Sequence, residues 1–438
     1  MYRFVNFKGF ADATLDLRTP VTILIGRNGA GKSNVVEALE FVSGIACGYG
    51  LHDVYMPGRG TGRVPIRGGL DMAIRNDEDR FGIQVTLDDI GVSYSVEYGH
   101  FDLDKRNSLA KQKHLRERMV VNGAPVLQVI DEGKLTTMQV LLKDNTPGAM
   151  SPEILKDWGS ASHERGVVDQ LAKPTFAQSG ATVQVAAAAI VAEAGHVRVL
   201  EPDPAAIRPF APITTGPWAR SCSNLAAVLL ELHNGPKPEK AKLRILGDML
   251  RDFLEQPVDS IKVMEHEPSK QVTFGLRLQG GRELPASVLS DGTLLELAHA
   301  TALMTAEAGS VQVLEDIDRG IHPVRVSRLL QFAEKRAKEV GFRVVVTTHS
   351  EALLNALTVE QEKGVVVCHW DPVSASAKLT RLQELADYLA VVTAGGLGRA
   401  VTNGAVDAAA QAKTPQQQAE ALREALAWAE SFRSRGDQ

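Results

Sequence analysis

The chain has 438 residues, 44% of them hydrophobic and 23% charged, with a formal net charge of −5. That length and balance suit a globular protein of two or three domain-sized units and exclude a disordered or collagen-like chain. The net charge does not advertise a nucleic-acid binder, and three scattered cysteines, Cys47, Cys222 and Cys368, exclude a disulfide framework and a CxxC metal site.

From the N-terminus, Tyr2–Asn6 and Ala13–Leu17 read as an opening strand pair with no leader ahead of them. Thr22–Ile25 (TILI) is a candidate buried strand and Asn34–Ser43 a helix. Between them lie Gly26, Arg27, Asn28, Gly29, Ala30, Gly31, Lys32 and Ser33, a complete GxxxxGKS loop followed by Asn34. Glycines let the backbone curl until successive N–H groups face inward and cradle phosphates at a helix N-terminus. Lys32 is placed to reach the β- and γ-phosphates and the Ser33 hydroxyl to hold Mg²⁺, so the loop predicts binding of a nucleoside triphosphate.

Phe81–Leu87 and Val92–Tyr98 alternate around the turn Asp88–Gly91, a hairpin pattern, and Gly58–Gly69 is a Gly/Arg loop. The basic run 105–118 (KRNSLAKQKHLRER) reads first as a solvated helix face and second as a nucleic-acid contact. From there to about residue 220, Pro, Gly and Ala break the pattern, and the stretch reads as an insertion. Its most apolar run, Val183–Ala192, is ten residues long, too short to span a bilayer.

Asn224–His233 and Pro238–Phe253 show helical apolar spacing. Strands are expected at Ser260–Glu265 and Val272–Leu278, then a helix after Ser290, a strand at Val311–Leu314, a helix at Val324–Val340 and a strand at Arg343–Thr347. Buried strands alternating with helices predict a parallel sheet. In the tail, Thr414-Pro415-Gln416-Gln417 is a capping box and Leu422–Phe432 carries one apolar stripe.

Three further motifs supply the rest of a phosphate-transfer site. The strand Val311–Leu314 runs into Glu315-Asp316, which puts two carboxylates at a C-terminal strand end, where open α/β sheets bind ligands. One acid can share the metal with Ser33 and the other can orient a water. Ser290, Asp291 and Gly292 open a helix whose amides can meet phosphate, and His349 follows the strand ending at Thr347.

In this order the motifs FKGFADATLDL, GRNGAGKSN, SNLAAVLLEL, LSDGT, VLEDIDRGIHP and TTHS resemble the ABC-type ATPases of the RecF/SMC branch, specifically compact relatives of the OLD family. The resemblance covers about residues 1–100 and 220–400. It implies an α/β P-loop NTPase of ABC type, a two-lobed head with a mixed and parallel sheet and an inserted, mostly helical region. The expected units are an N-terminal lobe at 1–104, an inserted region at 105–257, a C-terminal lobe at 258–404 and a C-terminal helix at 405–438. By that resemblance Gly26–Ser33 is Walker A and Ser290-Asp291-Gly292 the signature. Glu315 stands at the Walker B aspartate, Asp316 at the catalytic glutamate and His349 at the switch histidine. Gly320–Pro323 matches the dimer-facing loop. Glu-Asp in place of the family's Asp-Glu or Glu-Glu implies slow, stimulus-gated hydrolysis. A non-hydrolysing scaffold is the other consequence. No Q-loop glutamine is evident beyond Gln84, which lies in the hairpin.

The signature of this branch completes the ATP site of a second subunit, so the resemblance implies a homodimer or higher oligomer with ATP and Mg²⁺ as cofactors. The inserted region lacks heptads for coiled-coil arms, and Asp316-x-Asp318 fits Walker B better than a nuclease metal cluster. The chain is too short for a C-terminal Toprim nuclease. A separately encoded nuclease or toxin effector in cytoplasmic anti-phage defence is therefore expected by analogy, with a RecF-like DNA repair ATPase as the alternative and no membrane partner.

Overall fold

Strands buried on both faces form the centre of the molecule, and they are the valine- and isoleucine-rich runs of the sequence. The structure, a computed structural model, describes residues 1–55, 66–76, 78–100, 113–130, 168–173, 181–213, 216–253, 257–385, 388 and 396–411. In chain order the strands are β1 (Tyr2–Phe7), β2 (Phe10–Leu15), β3 (Val21–Ile25), β4 (Arg80–Leu87), β5 (Val92–His100), β6 (Lys113–Val121), β7 (Ala124–Ile130) and β8 (Val197–Leu200). They continue with β9 (Ala211–Pro212), β10 (Val258–His266), β11 (Gln271–Leu278), β12 (Glu283–Pro285), β13 (Val311–Leu314), β14 (Arg343–Thr347), β15 (Val365–Asp371) and β16 (Ser376–Arg381).

The central sheet has the order β16-β15-β3-β14-β13-β8, parallel except for the β15–β16 hairpin. Residues alternate between two cores. Ile23, Ile25, Val344, Val346, Val365 and Val367 face the core shared with the helices Leu225–Asn234, Asp291–Met304 and Pro323–Val340. Leu24, Val311, Val313, Val345 and Val366 face the core shared with the helix Lys32–Ala46 and the first sheet. Full burial of each such side chain is worth about 1.5–3 kcal/mol relative to exposure. Because β3, β13 and β14 run parallel, Walker A, Glu315-Asp316 and His349 leave the sheet at one edge.

The first sheet is antiparallel, β2-β1-β4-β5-β6-β7, and includes the expected hairpin. It also takes in residues 113–118 of the basic run, within β6, so the described part of that run is a strand and not a helix. Leu115, Glu117 and Met119 point into the core while Arg118 is exposed, and Tyr94 donates to buried Glu117 at 2.6 Å. The expected boundary at 104/105 therefore falls inside one sheet. The insertion also sends β8 to the edge of the central sheet beside β13. Residues 105–112 of the run, the capping box and the apolar tail stripe lie outside the described residues, as do 58–65 of the Gly/Arg loop.

A smaller sheet, β10-β11-β12 with β9 on β11, packs against the helix Lys237–Phe253. The helix Pro323–Val340 starts with proline at its first position and stops at Gly341, φ 86°, as a C-cap glycine should. Among the described residues no helix is long and apolar enough to cross a membrane.

Candidate functional site: a Walker-type nucleotide edge

The loop after β3 has the backbone that its glycines predict: Gly26, Gly29 and Gly31 sit at φ 141°, 80° and 110°. At Gly26 a side chain is impossible as well as strained, because a Cβ would lie 2.1 Å from the Cys368 carbonyl oxygen. Gly31 is the N-cap of the helix Lys32–Ala46, and no side chain among the described residues caps that helix. Its first amides thus remain for an anion, helped by the helix dipole. Buried Lys32 donates to the carbonyls of Gly26 at 2.7 Å and Arg27 at 3.1 Å, which holds its ammonium over the loop. Burial lowers its pKa, against the pull of Cys368, Asp316 and Asp407.

Asp316 is one of the acids whose charge reaches this lysine, and its geometry is unusual. It takes φ 48°, a left-handed conformation that aspartate tolerates better than most residues. Its backbone N–H donates to Thr347 Oγ1 at 2.8 Å, and its carbonyl accepts from Arg319 N–H at 2.8 Å. His349 follows two residues after Thr347. Partial burial, then the Lys32 charge, lowers its pKa, while Asp316 and Asp318 raise it. Lys32, Asp316 and His349 therefore lie near enough at this strand edge to act on one another's charge.

Glu315 is mostly buried and paired to Arg220, and its pKa is raised by burial, with Arg220 opposing and Glu201 and Asp316 adding to the rise. Ser33, half-buried, opens the loop helix. Hydroxyl and carboxylate are hard oxygen donors of the kind Mg²⁺ takes alongside nucleotide phosphates. Asp318 Oδ1, buried without a hydrogen-bond partner among the described residues, is a further oxygen of this type. The donor set fits Mg²⁺.

The Ser290-Asp291-Gly292 motif is not part of this cluster. Exposed Ser290 caps the helix Asp291–Met304 by accepting from Thr293 N–H at 3.3 Å, and Asp291 pairs with Arg208. Gly292 abuts the loop Gly320–Pro323, where a Cβ would meet the Gly320 carbonyl at 3.0 Å. Gln84 lies within β4, donating to Thr86 at 3.4 Å, which is a strand contact and not a loop position.

Sequence reasoning missed Thr347, Arg220 and Asp407. Asp407 binds Arg27 of the loop at 2.9 Å from the helix Ala405–Gln411. With His369 and Trp370 it borders a cleft of about 260 Å³ beside Arg27–Ala30. Only Thr347 stood within a recognised motif; nothing in local spacing marks the others.

A family model described as "AAA domain, putative AbiEii toxin, Type IV TA system" matches residues 21–121 and 231–355, just over half of the chain. The DNA replication and repair protein RecF of Brucella abortus is 35% identical over 86 residues, 20% of this chain and 18% of RecF. The chromosome partition protein Smc of Coxiella burnetii is 27% identical over 151 residues, 31% of this chain and 12% of Smc. These matches span less than a fifth of the length of either relative. A solved Smc head bound to the C-winged helix domain of ScpA aligns with 86% of this chain and 96% of its own, at 14% identity and a TM-score of 0.44.

Proposed function

The chain belongs to this AAA-domain family, in the RecF/SMC branch of ABC-type ATPases that its motifs resemble, and on that premise we propose that it binds and hydrolyses ATP, closing as a homodimer around it to control a separately encoded effector. The observation that carries the reading is a division of the site. Lys32, Asp316 and His349 share one edge of the central sheet, whereas Ser290 is exposed on a separate helix start. A second copy of the chain is the natural source of the missing half.

In this reading Lys32 exchanges its carbonyl partners for the β- and γ-phosphates, and the amides after Gly31 hold the phosphates from below. Asp316, fixed by Thr347, orients the attacking water, and His349 contacts the γ-phosphate side. Ser33 and Glu315 would hold Mg²⁺, which would supply neutralisation of phosphate charge when bound. Contact from both subunits makes ATP binding favour the closed dimer, and hydrolysis releases it.

The family's description as a toxin of a toxin–antitoxin system supports a defence role, with a nuclease or toxin as effector in the cytoplasm. The experiment is size measurement with and without ATP. Asp316→Asn should accumulate an ATP-bound dimer and Ser290→Arg should stay monomeric; unchanged size in both overturns the sandwich. Turnover of the isolated protein should be slow, since Asp316 is one methylene shorter than glutamate.

The RecF-like reading draws on the outward-facing Arg118 of β6. ATPase activity stimulated by DNA, with a steep salt dependence that Arg118→Glu flattens, would favour it. Indifference to DNA favours effector control.

A further inference from the structure

Three carboxylates from distant parts of the chain converge on one guanidinium. Arg220 Nη1 lies 3.0 Å from Glu40 Oε2, Nε lies 3.4 Å from Glu201 Oε2, and Nη2 donates to Glu315 Oε2. Glu40 stands on the helix that Walker A opens, Glu201 just after β8, and Glu315 just after β13. The Arg220, Glu40 and Glu315 side chains are 16%, 12% and 14% exposed, so this trio is shielded from solvent, while Glu201 is half-exposed and also reaches Arg319 at 3.9 Å.

The arginine is held in advance. Its carbonyl accepts the Glu201 N–H at 2.8 Å, and Ser221 accepts the Asp203 N–H at 3.0 Å, so residues 220–221 are zipped to the end of β8. The Glu315 N–H donates in turn to the Leu200 carbonyl at 3.0 Å. Arg220 and Glu315 are therefore fixed to the same strand end from two sides. A planar fork can bridge two carboxylates at once, which a lysine ammonium does poorly.

We infer that Arg220 is a positioning residue: it orients Glu315 for the metal that arrives with ATP and ties that acid to the Walker A helix through Glu40. The buried trio carries a formal excess of one negative charge, so Arg220 stabilises Glu315 as a carboxylate without abolishing its attraction for a divalent cation. This rests on the ATPase reading above, and the test separates the two.

The test is thermal unfolding of native protein and Arg220→Lys with ATP in EDTA, then with ATP across a Mg²⁺ titration. Native protein should gain stability with ATP alone and more with Mg²⁺. Arg220→Lys keeps the charge but loses the fork, so its ATP-only gain should persist while the Mg²⁺ midpoint rises about tenfold, as for lost partners of metal ligands. Steady-state hydrolysis should show the same shift in Mg²⁺ requirement with ATP affinity retained. An unchanged Mg²⁺ midpoint overturns the inference and leaves the ATPase reading standing. No ATP-induced gain in the native protein overturns both. If Arg220→Lys does not fold, Glu40→Gln carries the test: it removes one anchor of the fork and should move the midpoint the same way, and an unmoved midpoint again overturns the inference.

Discussion

Thr347 Oγ1 accepts the backbone N–H of Asp316 at 2.8 Å, joining the ends of the neighbouring parallel strands β13 and β14. The bond fixes Asp316 in its left-handed conformation and holds it beside the strand that delivers His349. The position of Asp316 therefore depends on a threonine from the neighbouring strand.

Removing that acceptor should separate binding from turnover. Thr347→Val keeps the shape of the side chain and leaves a partly buried N–H without its partner, a cost of about 1–3 kcal/mol. ATP binding by Lys32 and the loop amides should persist, while steady-state hydrolysis should fall about tenfold or more. Equal losses in ATP affinity and turnover would contradict the assignment.

Two glycines of the loop should respond very differently to alanine. Gly26→Ala drives a methyl into the Cys368 carbonyl, whereas at Gly29 a Cβ meets nothing within 4 Å among the described residues. The second substitution carries only the backbone cost of a positive φ, about 1–2 kcal/mol. Urea unfolding should show Gly26→Ala as the far more destabilised protein, or as one that does not fold.

Glu296 and His299 sit one turn apart in the helix Asp291–Met304, both buried, and burial moves them in opposite directions. Glu296 is pushed up to about 7 by burial, against Arg325 at 3.4 Å, and His299 is pushed down to about 4 by burial. The native glutamate keeps its proton above its ordinary value of 4.5, so its contribution is full below 4.5 and is lost as pH rises to about 7. The native histidine resists its proton below its ordinary 6.5, so its contribution is full above 6.5 and is lost as pH falls to about 4. Between 4.5 and 6.5 the two slopes oppose each other. Glu296→Gln should expose the histidine term, a loss on acidification on the order of 3 kcal/mol. His299→Leu should leave the glutamate term, with stability falling as pH rises. Denaturant midpoints across this range check both, and parallel profiles for the two variants would refute the pairing.

The Arg27–Asp407 contact ties the nucleotide loop to the helix Ala405–Gln411, which packs on β15. Arg27 is largely exposed and Asp407 is not, so Asp407→Asn should cost only about 1 kcal/mol of global stability. Hydrogen exchange in residues 405–411 should rise more than elsewhere; uniform exchange would argue against a local anchor.

Much of this molecule was written locally. A GxxxxGKS loop needs its glycines and lysine in fixed order, and apolar runs such as Val311–Leu314 and Arg343–Thr347 are strands because both their faces are buried. Ser290, Asp316 and His349 were legible because each closes or opens such an element. Tertiary structure alone decided the rest. Residues 113–118 of the basic run enter a sheet in β6 because β5 offers them an open edge, a partner that local charge spacing does not reveal. Likewise Arg220 meets Glu315 across 95 positions of chain, since the zipper from residues 220–221 to the end of β8 and the pairing of β8 with β13 place them together. Periodicity records which face of an element is buried; it carries no record of which distant element will cover it, and that choice determines where the charges of the site converge.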